Sequence, residues 1–204
     1  MYSPNLFVVA GCNGSGKSTY ASNLLPNHII PFDADKRKKE IYDAFEFDFE
    51  FREKMAWNKT NEALEKSIEQ AMNHHLDFAY ETNFNYEPLY WISKFKQNNY
   101  QVHLIFFCLK SVELAIERVA IRYENGGHYV PDDQVEQRYK DGFNNLNKTF
   151  EVFDSMLLIE ASAENKIPIT LLKYSKDLPI DIKKPLPDYF MKHCPQLSQF
   201  ISAH

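Results

Sequence analysis

Short apolar runs alternate with longer stretches of helical periodicity along most of the chain. The first run, Asn5 to Ala10 (N-L-F-V-V-A), is rich in β-branched and aromatic residues and predicts a strand. Thr19 to Leu25 can continue as a helix, and His28 to Asp33 predicts a second short strand, with Pro31 pointing to an edge or an early stop. Lys36 to Ala44 reads as a charged helix. From Phe49 to His74 a long helix is expected, with Phe51, Met55, Ala63, Leu64, Ile68, Ala71 and Met72 mostly at helical spacing. Asp77 to Glu81 predicts a third strand and Pro88 to Gln97 a helix. Val102 to Leu109 (V-H-L-I-F-F-C-L) is apolar on both faces, as a central parallel strand should be. Ser111 suits the N-cap of a helix ending near Tyr123, which Asn125-Gly126-Gly127 then breaks. Pro131, Asp132 and Asp133 open another helix, running to about Leu146. Late strands are expected at Ser155 to Ile159 and Ile169 to Tyr174. The proline- and aromatic-rich remainder from Ser175 either wraps the domain or ends in a short helix. This alternation predicts an α/β fold in a single domain over 1–204, an open parallel sheet with helices on both faces.

Between the first strand and first helix lies Gly11-Cys12-Asn13-Gly14-Ser15-Gly16-Lys17-Ser18, which meets G-x-x-x-x-G-K-[ST] at every fixed position. In that strand-to-helix context it is a phosphate-binding loop, and Asn13, Ser15 and Thr19 fall within the expected nucleotide site. Glycines at 11, 14 and 16 allow a tight turn whose N–H groups converge on an anion. The helix starting near Lys17 adds the positive end of its dipole. Lys17 is expected to reach the β- and γ-phosphates and Ser18 to offer its hydroxyl to a metal. The expected fold is therefore that of the P-loop NTPases and kinases, with a nucleoside triphosphate and Mg2+ as cofactors. The ligand should lie beyond the carboxyl ends of the strands.

Composition narrows the partners. A formal charge of -5 in 204 residues argues against nucleic acid, whose binders usually carry a net basic face. No apolar run approaches the ~20 residues of a membrane span. Met1 to Pro4 has no basic n-region, so no signal peptide is expected. Cys12, Cys108 and Cys194 are widely spaced and odd in number, which suits a reducing cytoplasm and no metal cluster. Cys12, at a variable position of the loop, reads as small filler.

Three predicted strands end in polar groups on the rim that holds the loop. Transfer of phosphate to an alcohol needs a carboxylate to orient or deprotonate the acceptor. Asp35, beyond the strand end, is better placed for that role than Asp33, which suits a turn, a helix cap or a metal-bound water. Glu81 and Asn83 end the third strand, and Glu81 could hold a water on Mg2+ or a substrate hydroxyl. Arg118 and Arg122 lie off the apolar stripe of their helix with no acidic neighbour at i±3 or i±4. Next to the Gly-Gly break they suggest a helical lid closing on phosphate oxygens, against the alternative of two solvated arginines. Arg138 has Asp141 within helical reach and His128 follows the Gly-Gly; both are candidates for substrate contact, with an ordinary surface position as the alternative.

Four segments, G-C-N-G-S-G-K-S, F-D-A-D, E-T-N and R-V-A-I-R-Y-E-N-G-G-H-Y-V-P, taken in this order, resemble the zeta-toxin family of P-loop kinases from about Asn5 to Phe150. The resemblance implies phosphorylation of UDP-N-acetylglucosamine at the sugar 3'-hydroxyl with ATP or GTP, and inhibition by a small helical antitoxin. Carried over by motif, Lys17 would bind phosphate and Asp35 would act as base on the sugar hydroxyl. Glu81 and Asn83 would lie in the substrate pocket, Asn83 where the toxins often have threonine. Arg122 matches an arginine that contacts the transferring phosphate. A second such arginine falls near His128, where this chain departs from the family. The G-G-H-x-V-P version resembles a broad bacterial branch described as predicted ATPases, whose acceptor need not be that nucleotide sugar. The leading expectation is a cytoplasmic kinase with a small-molecule acceptor. An NTP-binding regulatory ATPase and a nucleic-acid-end kinase are the alternatives.

Overall fold

The run that is apolar on both sides, Gln101–Cys108 (β3), takes the interior of a six-stranded sheet, and its residues from Leu104 to Cys108 are all buried. The computed structural model describes residues 3–46, 49–127, 129–163 and 167–203. Asn5–Ala10 (β1) and Ser155–Glu160 (β4) pair parallel with β3 on either side, and Phe78–Thr82 (β2) pairs parallel with the outer side of β1. Ile169–Ser175 (β5) and Leu178–Ile182 (β6) then add an antiparallel hairpin, so the order is β2-β1-β3-β4-β5-β6. The sheet is thus parallel over four strands, as expected, and antiparallel over the last two.

In the ladder Ala10 lies opposite both Thr82 and Phe106, which brings the carboxyl ends of β1, β2 and β3 level on one rim. Everything that follows these three strands starts from that rim.

The helices flanking the sheet are Lys17–Tyr20 (α1), Ala34–Asp43 (α2), Phe49–His74 (α3), Tyr90–Gln97 (α4), Val112–Glu124 (α5), Asp132–Thr149 (α6), Asp188–His193 (α7) and Pro195–Ala203 (α8). Ser111 caps α5 as its sequence position predicts, accepting from the Leu114 N–H at 3.3 Å. The helix ends in a Schellman turn: Gly126, at φ 83°, donates to the Tyr123 carbonyl and Gly127 to that of Arg122. Among the described residues no helix is long and apolar enough to cross a membrane.

Two expectations need correction. His28 to Asp33 is not a strand; only Phe32 bridges Tyr80, through bonds to the Ala79 carbonyl and the Glu81 amide. Pro31 has no N–H for a ladder, and Ile30 stands 88% exposed. The first helix is also shorter than Thr19 to Leu25. After one turn the chain tightens into a 3-10 turn at Ala21–Asn23, and Pro26 bars a helical continuation.

At the opposite end of the sheet a polar chain crosses three strands. The Asn5 side-chain amide donates to Asp77 at 3.1 Å, which leaves its carbonyl to accept from His103 Nε2 at 2.9 Å. With Nε2 carrying the proton, His103 Nδ1 accepts from the Ser155 hydroxyl at 2.7 Å. Burial pushes the His103 pKa down, opposed by the nearby Asp154 and Asp77 carboxylates. The unfolded chain then takes up this proton before the folded one does. The stability from neutral His103 is complete above its ordinary pKa of 6.5 and is lost as pH falls through the lowered folded value. Denaturant titrations on either side of that pH should show wild type losing stability on acidification and His103→Asn losing less. Part of the slope should survive in the variant, because burial also lowers the pKa of His193. Identical slopes would remove His103 from the effect.

Candidate functional site

The loop after β1 is forced by its glycines. A Cβ on Gly11 (φ 144°) would come within 2.6 Å of the Phe107 carbonyl, and one on Gly14 (φ 77°) within 2.8 Å of the Ala115 carbonyl. Both positions combine left-handed backbone with contact against a neighbouring element, so no other residue fits. Lys17 folds back over the loop, donating to the carbonyls of Gly11 (2.6 Å) and Cys12 (3.0 Å), with Asn83 Oδ1 at 3.4 Å. Burial lowers its pKa, against the pull of Cys12, Glu81, Asp35 and Asp33. Because α1 is a single turn, an anion here would rest on amides of the loop and that turn rather than on the end of a long helix. Ser15 lies fully buried in the loop, and its hydroxyl finds no hydrogen-bond partner among the described residues. Cys12 is 5% exposed, and burial pushes its thiol up to about 11, which suits filler rather than a nucleophile.

The next residue joins three segments. The Ser18 hydroxyl lies 2.7 Å from Glu81 Oε2 and 3.0 Å from Asp33 Oδ2. One hydroxyl proton cannot serve two carboxylates at once, so these oxygens crowd a common point. Burial raises the Glu81 pKa and the Ser18 bond lowers it, while Asp33 and Asp35 raise it further. Asp33 also caps α2, where its Oδ1 accepts from the Lys36 N–H at 3.0 Å. Among the described residues no three His, Cys, Asp or Glu side chains gather as a metal site. A hydroxyl between two carboxylates is nevertheless a set of hard oxygen donors that fits a largely hydrated Mg2+.

The segment carrying Glu81 and Asn83 is fixed by residues that no local motif indicates. Phe84 adopts φ 57° and is wholly buried, its ring 6.2 Å from Phe106 and 6.1 Å from Phe153. Its N–H donates to the Thr82 hydroxyl at 3.0 Å. The Asn145 amide on α6 donates to the carbonyls of Phe84 (2.9 Å) and Asn85 (2.5 Å). A left-handed phenylalanine is costly, and burial of its ring together with this clamp offsets the strain.

Two cavities border the loop, and a third adjoins one of them. One of about 450 Å³ is lined by Gly14, Gly16, Thr19, Tyr20, Arg118 and Pro168 among others. A second, of about 350 Å³, contains Lys17, Asp33, Glu81, Asn83, Trp57 and Tyr86. The third, of about 640 Å³, reaches Lys39, Tyr123, Gly126 and Tyr129. Asp35, Lys38 and Arg138 line both of the last two. Asp35 is exposed in the first turn of α2.

The arginines separate. Arg118 donates to the carbonyls of Ala161 (2.8 Å), Ala163 (3.3 Å) and Gly14 (3.4 Å), so it is a brace beside the loop rather than an unpartnered lid residue. Arg122 is not among the residues lining the three cavities; its Cγ packs beneath Gly127. Arg138 is the arginine brought to the front of the loop, donating to Asn13 Oδ1 at 2.9 Å. Asp141, its expected local partner, instead accepts from Gln137. His128 lies outside the described residues.

The chain matches the model of the Zeta toxin family over residues 2–167. It is 27% identical over 130 residues, 63% of this chain and 88% of the other, to an uncharacterized protein of Haemophilus influenzae. Among solved structures it is similar to the PezAT chromosomal toxin-antitoxin system of Streptococcus pneumoniae, with a TM-score of 0.60 at 16% identity, covering 100% of this chain and 84% of that one. It is also similar to the AvrRxo1-ORF1:-ORF2 structure with ATP, with a TM-score of 0.64 at 13% identity, covering 98% of this chain and 64% of that one. At these identities the two structures speak to the fold alone.

Proposed function

The chain belongs to the zeta-toxin family, and from that premise we propose that it is a kinase moving the γ-phosphate of ATP or GTP to a hydroxyl of a small molecule, a nucleotide sugar such as UDP-N-acetylglucosamine being the leading acceptor. The observation that carries this reading is the shared wall of Asp35 and Arg138 between two cavities, one of them holding Lys17. The larger of the two meets the cavity of Lys17 at this wall without lining the loop, which leaves room for an acceptor beside the nucleotide.

On this reading the loop amides and Lys17 hold the β- and γ-phosphates. Ser18, with Asp33 and Glu81 behind it, would hold Mg2+, which supplies charge neutralisation between the phosphates when bound. Asp35 accepts the proton of the acceptor hydroxyl as its oxygen attacks phosphorus, and its place in the first turn of α2 suits a negative charge. Arg138 meets the charge that develops on the transferring group. With the family membership, ATP as donor and an antitoxin protein as partner complete the proposal; the AvrRxo1 structure with ATP and the PezAT toxin-antitoxin system are similar to this chain in fold.

The test is to incubate the protein with Mg-ATP and a pool of nucleotide sugars and other metabolites, then look for a mass gain of one phosphate. Phosphate release with no phosphorylated product in any pool would favour the regulatory ATPase instead.

A further inference from the structure

The C-terminal helices lie beyond the residues matched to the family, yet one of their side chains is bonded to the segment that braces the phosphate loop. Glu160 ends β4 on the rim of the site. Its Oε2 accepts from the Tyr189 hydroxyl of α7 in a short hydrogen bond, and its Oε1 accepts from the Ser162 N–H at 2.8 Å. The Ser162 hydroxyl in turn accepts from the Lys110 N–H at 2.7 Å, and the Ala161 N–H donates to the Cys108 carbonyl at 3.0 Å. The turn from Glu160 to Ala163 is therefore pinned through one carboxylate and through Cys108 and Lys110 at the end of β3.

That pinning has a consequence for Arg118. Two of its three acceptors, the carbonyls of Ala161 and Ala163, belong to this turn, and the third is the carbonyl of Gly14 in the phosphate loop. Ala161 and Ala163 also line the cavity that contains Gly14, Gly16, Thr19 and Tyr20. A guanidinium is planar and rigid, so its direction follows that of the carbonyls it serves. Burial raises the Tyr189 pKa, as do Cys108 and Glu160, so the hydroxyl remains a donor at neutral pH.

We propose that Tyr189 is a positioning residue for nucleotide binding: through Glu160 it holds the Ala161–Ala163 turn, which aims Arg118 at the phosphate loop. This rests on the reading that a nucleotide occupies that loop, and it gives the C-terminal segment a part in the site.

The full-length protein is titrated calorimetrically with magnesium AMP-PNP, as wild type, Tyr189→Phe, Arg118→Ala and the double variant. Tyr189→Phe should weaken binding about tenfold, which is about 1.4 kcal/mol. In the Arg118→Ala background the same change should weaken it less than about twofold, because coupled residues are not additive. A merely structural tyrosine would cost the same in both backgrounds, and that result, or an unchanged affinity in the single variant, overturns the proposal. Should Tyr189→Phe fail to fold, Glu160→Gln takes its place in the same cycle with the same expected outcomes. Absence of binding by wild type would overturn the nucleotide reading itself, and is distinguished from the other outcomes by the wild-type titration alone.

Discussion

Arg138→Ala is expected to lower turnover by roughly 10³-fold, the scale on which an arginine at a transferring phosphoryl group acts in other P-loop enzymes. The guanidinium borders the cavity of Lys17, and one of its nitrogens is held 2.9 Å from Asn13 in the loop. If, as proposed, this arginine meets charge mainly in the transition state, its loss should appear in kcat more than in nucleotide affinity. Arg118→Ala should behave in the opposite way. Its guanidinium serves three backbone carbonyls beside the loop, so its removal should raise the KM for ATP more than it lowers kcat. Steady-state kinetics of the two single variants, with Arg138→Lys to keep charge but lose the planar fork, separates the roles. Comparable kcat losses in Arg118→Ala and Arg138→Ala would return the transferring phosphate to both arginines, and full activity in Arg138→Ala would leave it an ordinary surface charge.

How far these assignments are legible in the sequence depends on whether each rests on a local or a distant contact. The phosphate loop, the buried β3 and the Ser111 cap are local: spacing, apolarity on both faces and one hydroxyl suffice, and the structure places all three where they are expected. The Arg138–Asn13 bond joins residues 125 positions apart, and Asp141 nearby offers a plausible local partner that Gln137 takes instead. Arg118 and Arg122 look alike along their helix, yet only the fold sets the Ala161 and Ala163 carbonyls over one of them. Asn145 carries no motif at all, because a clamp on two carbonyls needs only an amide at the right height on α6. The last strand, β6, is hidden for a different reason. Leu178, Ile180 and Ile182 alternate with Pro179 and Asp181, but Pro179 counts against a strand, and on this edge Leu178 stays 68% and Ile182 52% exposed.

Asp35→Asn is the second large effect, and it separates a kinase from a nucleotide binder. The two acids at the start of α2 are distinguished by what already holds them. Asp33 caps the helix with one oxygen and lies 3.0 Å from the Ser18 hydroxyl with the other, whereas Asp35 stands exposed on the wall common to both front cavities. Only Asp35 is free to receive a proton from an acceptor hydroxyl without breaking a bond the fold depends on. The amide keeps its shape and removes its basicity, so phosphoryl transfer should fall by roughly 10²-fold or more, the usual scale for a general base. Affinity for magnesium AMP-PNP should barely change, since on the proposed reading the loop and Lys17 would carry the phosphate contacts. Asp33→Asn is the matched control. Asparagine caps a helix about as well as aspartate, so the fold should hold, while loss of the charge beside Ser18 should raise the Mg2+ concentration needed for activity. If Asp35→Asn transfers phosphate at the wild-type rate and Asp33→Asn is inactive at saturating Mg2+, the base is Asp33 and the roles are exchanged.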